Sequence, residues 1–180
     1  MSQRKSGYER IAGDVYETPS WVTRALLPHI PLRVESIWEP AAGSGKMVRV
    51  LKNDGFEVTA SDITRGQDFL KVDGYPGEAL IDAIITNPPY THAEEFINRA
   101  LFFTVSHSGI VAMLLRTDYD HAKTRQYLFG DANCFAKKIV LTKRIRWIEG
   151  STGSPSFNHA WYIWDWKNQG APELRYHYEE

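Results

Sequence analysis

The chain has 180 residues, a formal net charge of −1, 43% hydrophobic and 24% charged residues, proportions ordinary for a soluble globular protein. A domain of this length buries about two-thirds of the surface its unfolded form exposes, so one core is expected over residues 14–180 behind a polar arm at 1–13. No apolar run approaches membrane-spanning length, Met1 to Arg10 lacks an apolar signal core, and the single Cys134 excludes an intramolecular disulfide and a cysteine-based zinc cluster. A cytoplasmic protein with no membrane partner and no metal is the expectation.

The arm carries Arg4, Lys5 and Arg10 and reads as flexible chain. After it, Thr18 is placed to cap a helix with Pro19 at its first position. Val22, Ala25, Leu26, Leu27 and Ile30 fall on one face of that helix. Val34 to Pro40 reads as the first strand, and Ala41-Ala42-Gly43-Ser44-Gly45 as a tight turn into a helix carrying Met47, Val48, Val50 and Leu51. Small residues in such a turn let a ligand approach the backbone closely. Two familiar glycine loops can be tested against the letters, and both fail. A dinucleotide fingerprint needs a third glycine where Val48 stands, and a phosphate loop needs glycine at Pro40 and Ser or Thr at Met47.

Glu57 to Ile63 alternates and ends in Asp62, seventeen residues beyond Gly45. An acid at the tip of a second strand can accept hydrogen bonds from both ribose hydroxyls of a nucleoside cofactor. Ile81 to Asn87, counted as the fourth strand, is a short apolar run stopped by Pro88 and Pro89, with Tyr90 behind them. In an open α/β sheet ligands sit at such strand ends.

The Asn-Pro-Pro-Tyr corner suits one chemistry. An amino group on an aromatic or amide carbon is a poor nucleophile because its lone pair is delocalised, and acceptors at its two hydrogens favour the freed lone pair. The Asn87 side-chain oxygen can take one hydrogen, and the Pro88 carbonyl, aimed by two fixed φ angles, can take the other. Tyr90 can stack on the ring that carries the amine.

Ala93, Phe96, Ile97, Ala100, Leu101 and Phe102 then mark an amphipathic helix, and Gly109 to Leu115 a strand covered on both faces. Arg116-Thr117-Asp118-Tyr119 lies at the end of that strand, with Asp118 read as the cap of a following helix that runs through Lys123 and Leu128. Lys137 to Ile148 and His159 to Lys167 form a hairpin joined by a loop too long for a tight turn. Between Val111 and Gly150 eight Lys or Arg, Arg116 and Lys143 among them, stand against four Asp or Glu, a modest basic face. His159 reads as structural, and Trp161, Trp164 and Trp166 as packing. No function is read from the acidic, Tyr-rich tail after Asn168.

Asn87-Pro88-Pro89-Tyr90 resembles motif IV of the S-adenosylmethionine-dependent amino-methyltransferases, above all the DNA adenine-N6 enzymes. Tyr16, Thr18 and Pro19 resemble motif X of that family, and Glu39-Pro40-Ala41-Ala42-Gly43-Ser44-Gly45 its motif I. Gln67-Asp68-Phe69-Leu70 resembles a further motif, although a helix start at Asp68 explains it equally. Ser154 to Trp161 resembles the region around motif VIII of prophage-type members. The resemblance covers about residues 15–166, with the motifs in the family's order.

It implies an α/β fold: a doubly wound, mostly parallel seven-stranded sheet with a C-terminal antiparallel hairpin. It implies S-adenosyl-L-methionine held by Tyr16, Thr18, Pro19, Glu39, Pro40, Ala41, Gly43, Gly45, Asp62, Ile63, Asp68, Phe69 and Asn87. Methyl would pass to an exocyclic amine, adenine N6 in DNA first, with Asn87, Pro88, Pro89 and Tyr90 as the catalytic set. Tyr90, Phe157, Arg116 and Lys143 would meet the substrate, with Phe157 as a second wall of the base pocket or as a loop aromatic closing the core. Fewer than 100 residues follow Tyr90, so no separate target-recognition domain is expected, and specificity falls to loops, a homodimer or an accessory subunit. RNA adenine or protein glutamine methylation, and an idle cofactor-binding or nucleic-acid-binding subunit, are the alternatives.

Overall fold

The structure is a computed structural model that describes residues 16–77, 80–130, 134–147, 155 and 157–178. The N-terminal arm and most of the loop before Phe157 lie outside these residues. Seven strands form one sheet: β1 Ser36–Glu39, β2 Glu57–Ala60, β3 Ala83–Thr86, β4 Ile110–Arg116, β5 Phe135–Leu141, β6 His159–Asp165 and β7 Glu173–His177. Their spatial order is β2-β1-β3-β4-β6-β5-β7. The first four strands are mutually parallel, β6 runs antiparallel to both β4 and β5, and β7 lies parallel to β5. This is the doubly wound, mostly parallel sheet with a late antiparallel hairpin that the sequence implies.

Alternation along each strand divides the core into two layers. Trp38, Ile84, Val111, Met113, Tyr162 and Trp164 point to one face, where α3 (Ala93–Thr104) covers them with Phe96, Ile97, Ala100 and Phe103. Ile37, Ile85, Ala112, Leu114, Trp161 and Ile163 point to the other, where α1 (Ser20–Arg24) contributes Val22 and α2 (Lys46–Asn53) Met47 and Leu51. A strand covered on both sides has no polar face, which is why 110–115 is an unbroken apolar run. The tryptophans behave as packing residues: Trp161 and Trp164 are fully buried, and their indole N–H groups donate to the Val22 and Leu128 carbonyls at 2.8 Å.

Several expectations are corrected. The strand ending in Thr86 is third in the chain, because the described residues between β2 and β3 hold a 3₁₀ turn at Ile63–Arg65 and further turns but no strand. The seventh strand comes from the tail instead, where Glu173–His177 pairs with β5. Thr18 caps no helix: α1 starts at Ser20 behind Pro19, and its first turn is closed by the Val22 N–H donating to the Pro19 carbonyl at 3.0 Å. Asp118 caps no long helix either. Its carboxylate pairs with Arg116 at 3.0 Å, and the chain continues as two 3₁₀ turns into the single turn α4 (Gln126–Phe129). The β5 strand ends at Leu141, well before Ile148, and Phe102 is 73% exposed instead of facing the core.

Candidate active site

The strand order fixes where a site can form. From β1 the chain winds outward to β2, then crosses back over β1 to lay down β3 on its other side. The carboxyl ends of β1 and β3 therefore diverge in connection while touching in space, leaving a crevice between the turns that follow them. Those turns are Ala41–Gly45 and Asn87–Tyr90.

A cavity of about 670 Å³ fills that crevice. It is lined by eleven residues assigned to the cofactor from sequence: Tyr16, Thr18, Glu39, Pro40, Ala41, Gly43, Asp62, Ile63, Asp68, Phe69 and Asn87. Pro19 and Gly45, also assigned to the cofactor from sequence, are not among its lining residues. Pro19 precedes α1, and Gly45 sits at φ +82° at the start of α2, a conformation that other L-residues rarely adopt. Of the four corner residues, Asn87 and Pro89 line this cavity. Tyr90 lines a second one of about 440 Å³ on the far side of the corner, with Thr91, Glu94, Asn98, Tyr119 and Arg125.

The glycine turn is held by the acid at the tip of β2. Asp62 Oδ2 accepts from the Gly43 N–H at 2.8 Å, and Oδ1 accepts from the Thr64 N–H at 2.9 Å and the Thr64 hydroxyl at 2.5 Å. Burial pushes the Asp62 carboxyl up, but those hydrogen bonds and the Arg65 charge outweigh it and keep its pKa below the ordinary aspartate value. Asp68 closes a turn by accepting from the Leu70 N–H at 3.0 Å and pairs with Lys71, so its local role is structural as well as cavity-lining. Phe69 is 2% exposed and packs edge-on against Trp38, which makes it a core residue with one edge on the cavity.

Glu39 is the most unusual group. It is 1% exposed, and its Oε1 accepts from the Thr86 hydroxyl at 2.5 Å and the Ala41 N–H at 3.0 Å, tying the tips of β1 and β3 together. Burial pushes its pKa up to about 8, against the lowering effect of those two hydrogen bonds, and the Asp62 charge adds to the rise. The sign follows from linkage: a carboxyl raised in the folded state favours folding below its ordinary value of 4.5, and that contribution is lost as pH rises through about 8. Glu39→Gln removes the titration. The variant is expected to melt about 3 °C above the parent near pH 9, a difference on the order of 1 kcal/mol, and the gap is expected to close near pH 5. Melting curves at the two pH values check this, and a gap that does not vary with pH contradicts it.

The corner itself is braced from outside the sheet. Asn87 Nδ2 donates to the Tyr16 carbonyl at 3.3 Å, which orients the amide, while its Oδ1 is buried and has no hydrogen-bond partner among the described residues. A buried acceptor left open in this way calls for a donor from a ligand. The His92 N–H donates to the Pro89 carbonyl at 2.9 Å, so the corner closes directly onto α3. Tyr90 Oη lies 3.0 Å from His159 Nε2, and the two rings lie 5.9 Å apart, inclined by 26°.

Arg116 and Phe157 come together near this corner, with the guanidinium 4.2 Å above the ring centroid, and Arg116 pairs in register with His159. Lys143 is exposed and stands over Trp21 at 5.6 Å, outside both cavities.

Sequence reasoning missed other lining residues. Glu17 and Lys46 form an ion pair at 2.9 Å at the cavity mouth, and hydrogen bonds from Ser44 and Lys46 hold the Glu17 carboxyl below its usual range. Thr64, His92 and Phe96 also line the cavity. The opposite charges at 17 and 46 were the one available signal for that pair, and alone they specify no contact.

No family model matches the sequence, and no curated protein matches it. Solved structures do resemble the fold. A type I restriction-modification system methyltransferase subunit from Streptococcus thermophilus superposes with a TM-score of 0.55 at 14% identity, covering 83% of this chain and 44% of its own. A Listeria monocytogenes protein assigned to the class I S-adenosylmethionine-dependent methyltransferases gives 0.56 at 15% identity, covering 87% and 62%. This chain thus spans less than two-thirds of either. A Lactococcus lactis protein designated a hemolysin gives 0.57 at 10% identity, covering 90% and 94%. The chain shares the doubly wound, Rossmann-like fold of these structures. The fold alone does not fix an activity, so the activity is argued from the site.

Proposed function

We propose that this chain is an S-adenosylmethionine-dependent methyltransferase acting on an exocyclic amine, adenine N6 in DNA. The observation that carries the reading is the open, buried Oδ1 of Asn87 beside the crevice between β1 and β3. The cavity fits the cofactor on three counts. Its volume is in the range of small-molecule sites, Asp62 presents a carboxylate at the second strand's tip, and the left-handed Gly43 turn leaves space where a Cβ would stand.

When bound there, the cofactor supplies an electrophilic sulfonium methyl. The protein's part is to make the amine a nucleophile and hold it in line. Asn87 Oδ1 accepts one amine hydrogen, and the Pro88 carbonyl the other, which localises the nitrogen lone pair. Tyr90 stacks on the ring, and the fixed φ angles of Pro88 and Pro89 spare the loop reorganisation as the bond forms. His159 is not the base: burial, with the Arg116 charge behind it, pushes its pKa down to about 4, and its Nε2 is engaged by Tyr90. The amine proton becomes acidic once the methylated cation forms, so no strong base is required.

DNA is favoured over protein as the substrate class by the Tyr16 segment, which here touches Asn87 directly, and by the fold shared with a restriction-modification methyltransferase subunit. A target inside a duplex has to leave its stack, at a cost of a few kcal/mol. The test is a transfer assay with methyl-labelled S-adenosylmethionine across duplex DNA, single-stranded DNA, RNA and lysate protein. N6-methyladenine in DNA is the expected product. Label confined to RNA or to protein glutamine shifts the substrate class, and cofactor binding with no transfer to any of them overturns the enzyme reading.

A further inference from the structure

We infer that His159 is a positioning residue that holds the plane of the Tyr90 ring, as one member of an aromatic brace running Tyr16, Trp147, His159, Tyr90 around the Asn-Pro-Pro-Tyr corner. The inference rests on the function proposed above and deepens it, since it assigns a role in acceptor alignment to residues 57 and 69 positions beyond Tyr90.

Each link is a contact. Tyr16 and Trp147 rings lie 5.5 Å apart, Trp147 meets His159 edge-on at 5.2 Å and 85°, and His159 lies against Tyr90 with Nε2 3.0 Å from Oη. The chain of contacts closes on itself, because the Tyr16 carbonyl accepts from Asn87 Nδ2, three residues before Tyr90. One end of the brace thus sets the amide of Asn87 and the other sets the ring of Tyr90. A tyrosine following two prolines has a fixed backbone, but χ1 and χ2 remain free to turn. The only polar handle on that ring is its hydroxyl, and His159 holds it.

His159 is built to hold and not to be held by solvent. It is 2% exposed at the first position of β6, and its register opposite Arg116 of β4 places it at the same end of the sheet as the corner. Its Nδ1 is buried and has no hydrogen-bond partner among the described residues. A neutral imidazole has one donor and one acceptor nitrogen, and the inferred role is the tautomer in which Nδ1 carries the proton and Nε2 accepts from the Tyr90 hydroxyl. Any buried imidazole needs a partner; the pairing bears on function because the partner is the ring proposed to lie flat on the acceptor.

A double-mutant cycle separates the two roles. Tyr90→Phe removes the hydroxyl and keeps the ring; His159→Leu removes the acceptor; His159→Gln replaces the acceptor nitrogen with an amide at the same reach. With saturating S-adenosylmethionine, each of the first two variants is expected to lower kcat about tenfold, the double variant no further, and His159→Gln to recover most of the loss. Cofactor affinity by calorimetry is expected to stay within about twofold, because none of these side chains touches that cavity. Independent, multiplicative losses in the double variant, or no recovery with glutamine, overturn the positioning role.

The imidazole ¹⁵N spectrum tests the bond itself without any activity. The Nδ1-protonated tautomer is expected in the parent, with the Nε2 resonance shifted in Tyr90→Phe. An Nε2-protonated ring, or no shift, overturns the inference. A parent that shows the expected spectrum but transfers no methyl defeats the proposed activity and leaves the brace standing as an arrangement.

Discussion

Asn87→Ala is expected to lower methyl transfer by about 10²–10³-fold while S-adenosylmethionine binding, which Asn87 meets only at the cavity edge, weakens by a few-fold at most. Truncation removes the open Oδ1 and leaves one hydrogen of the acceptor amine unsatisfied as its nitrogen turns pyramidal. The loss belongs to the transition state, where that hydrogen carries most positive charge, so kcat falls and the acceptor's KM changes little. The amide's other contact, with the Tyr16 carbonyl, is a single long hydrogen bond of 3.3 Å, and its removal costs little folding stability. Single-turnover rates with labelled cofactor, alongside calorimetric affinity, check both halves. Transfer within a few-fold of the parent removes Asn87 from the mechanism.

Asp62→Ala is expected to act on the other partner. The side chain accepts from Gly43 and twice from Thr64, and truncation strands all three donors next to the cavity. The glycine turn then loses the bond that holds Gly43 at φ +50°. We expect cofactor affinity to fall by about 10²-fold, from one to two lost charge-assisted hydrogen bonds and a loosened turn, with a drop in Tm of a few degrees. Asp62→Asn is expected to recover the fold but only part of the affinity, since the amide offers one acceptor oxygen instead of two. Affinity unchanged in Asp62→Ala would falsify the cofactor assignment of this cavity edge.

What the sequence made legible are the features that one stretch carries by itself. The prolines after Thr86 announce a stopped strand, the small residues 41–45 a turn with room against its backbone, and the alternation over 57–62 a strand with an acid at its tip. Strand order then brings the three together, and order follows from the rule that parallel strands need crossovers. The remaining features depend on register between distant strands. His159 reaches Tyr90 because Arg116 pairs with His159 across β4 and β6, a registration that no local pattern encodes. Trp147 falls in the stretch read as strand through Ile148, whereas β5 ends at Leu141, and nothing local points its ring at Tyr16 and His159. The tail strand Glu173–His177 escaped notice for a different reason: Leu174 and Tyr176 alternate with polar neighbours, but over five residues only, and both are exposed, so no burial singles the stretch out. The strand expected between β2 and β3 was carried over by the numbering of the corner strand, and the turns at 63–72 stand in its place.

The reversal of winding between β1 and β3 has a consequence for how such a protein can change. Everything proposed to grip the methyl donor hangs mainly from β1, β2 and the start of α2, whereas everything proposed to meet the acceptor hangs from β3, β4 and β6. The two halves meet where β1 lies beside β3, joined by the Glu39–Thr86 hydrogen bond at the strand tips and by the bond from Asn87 to the Tyr16 carbonyl. A new acceptor therefore asks for revision mainly on the β3, β4 and β6 side, with Tyr16 and Asn87, which belong to both sides, as the positions that constrain it.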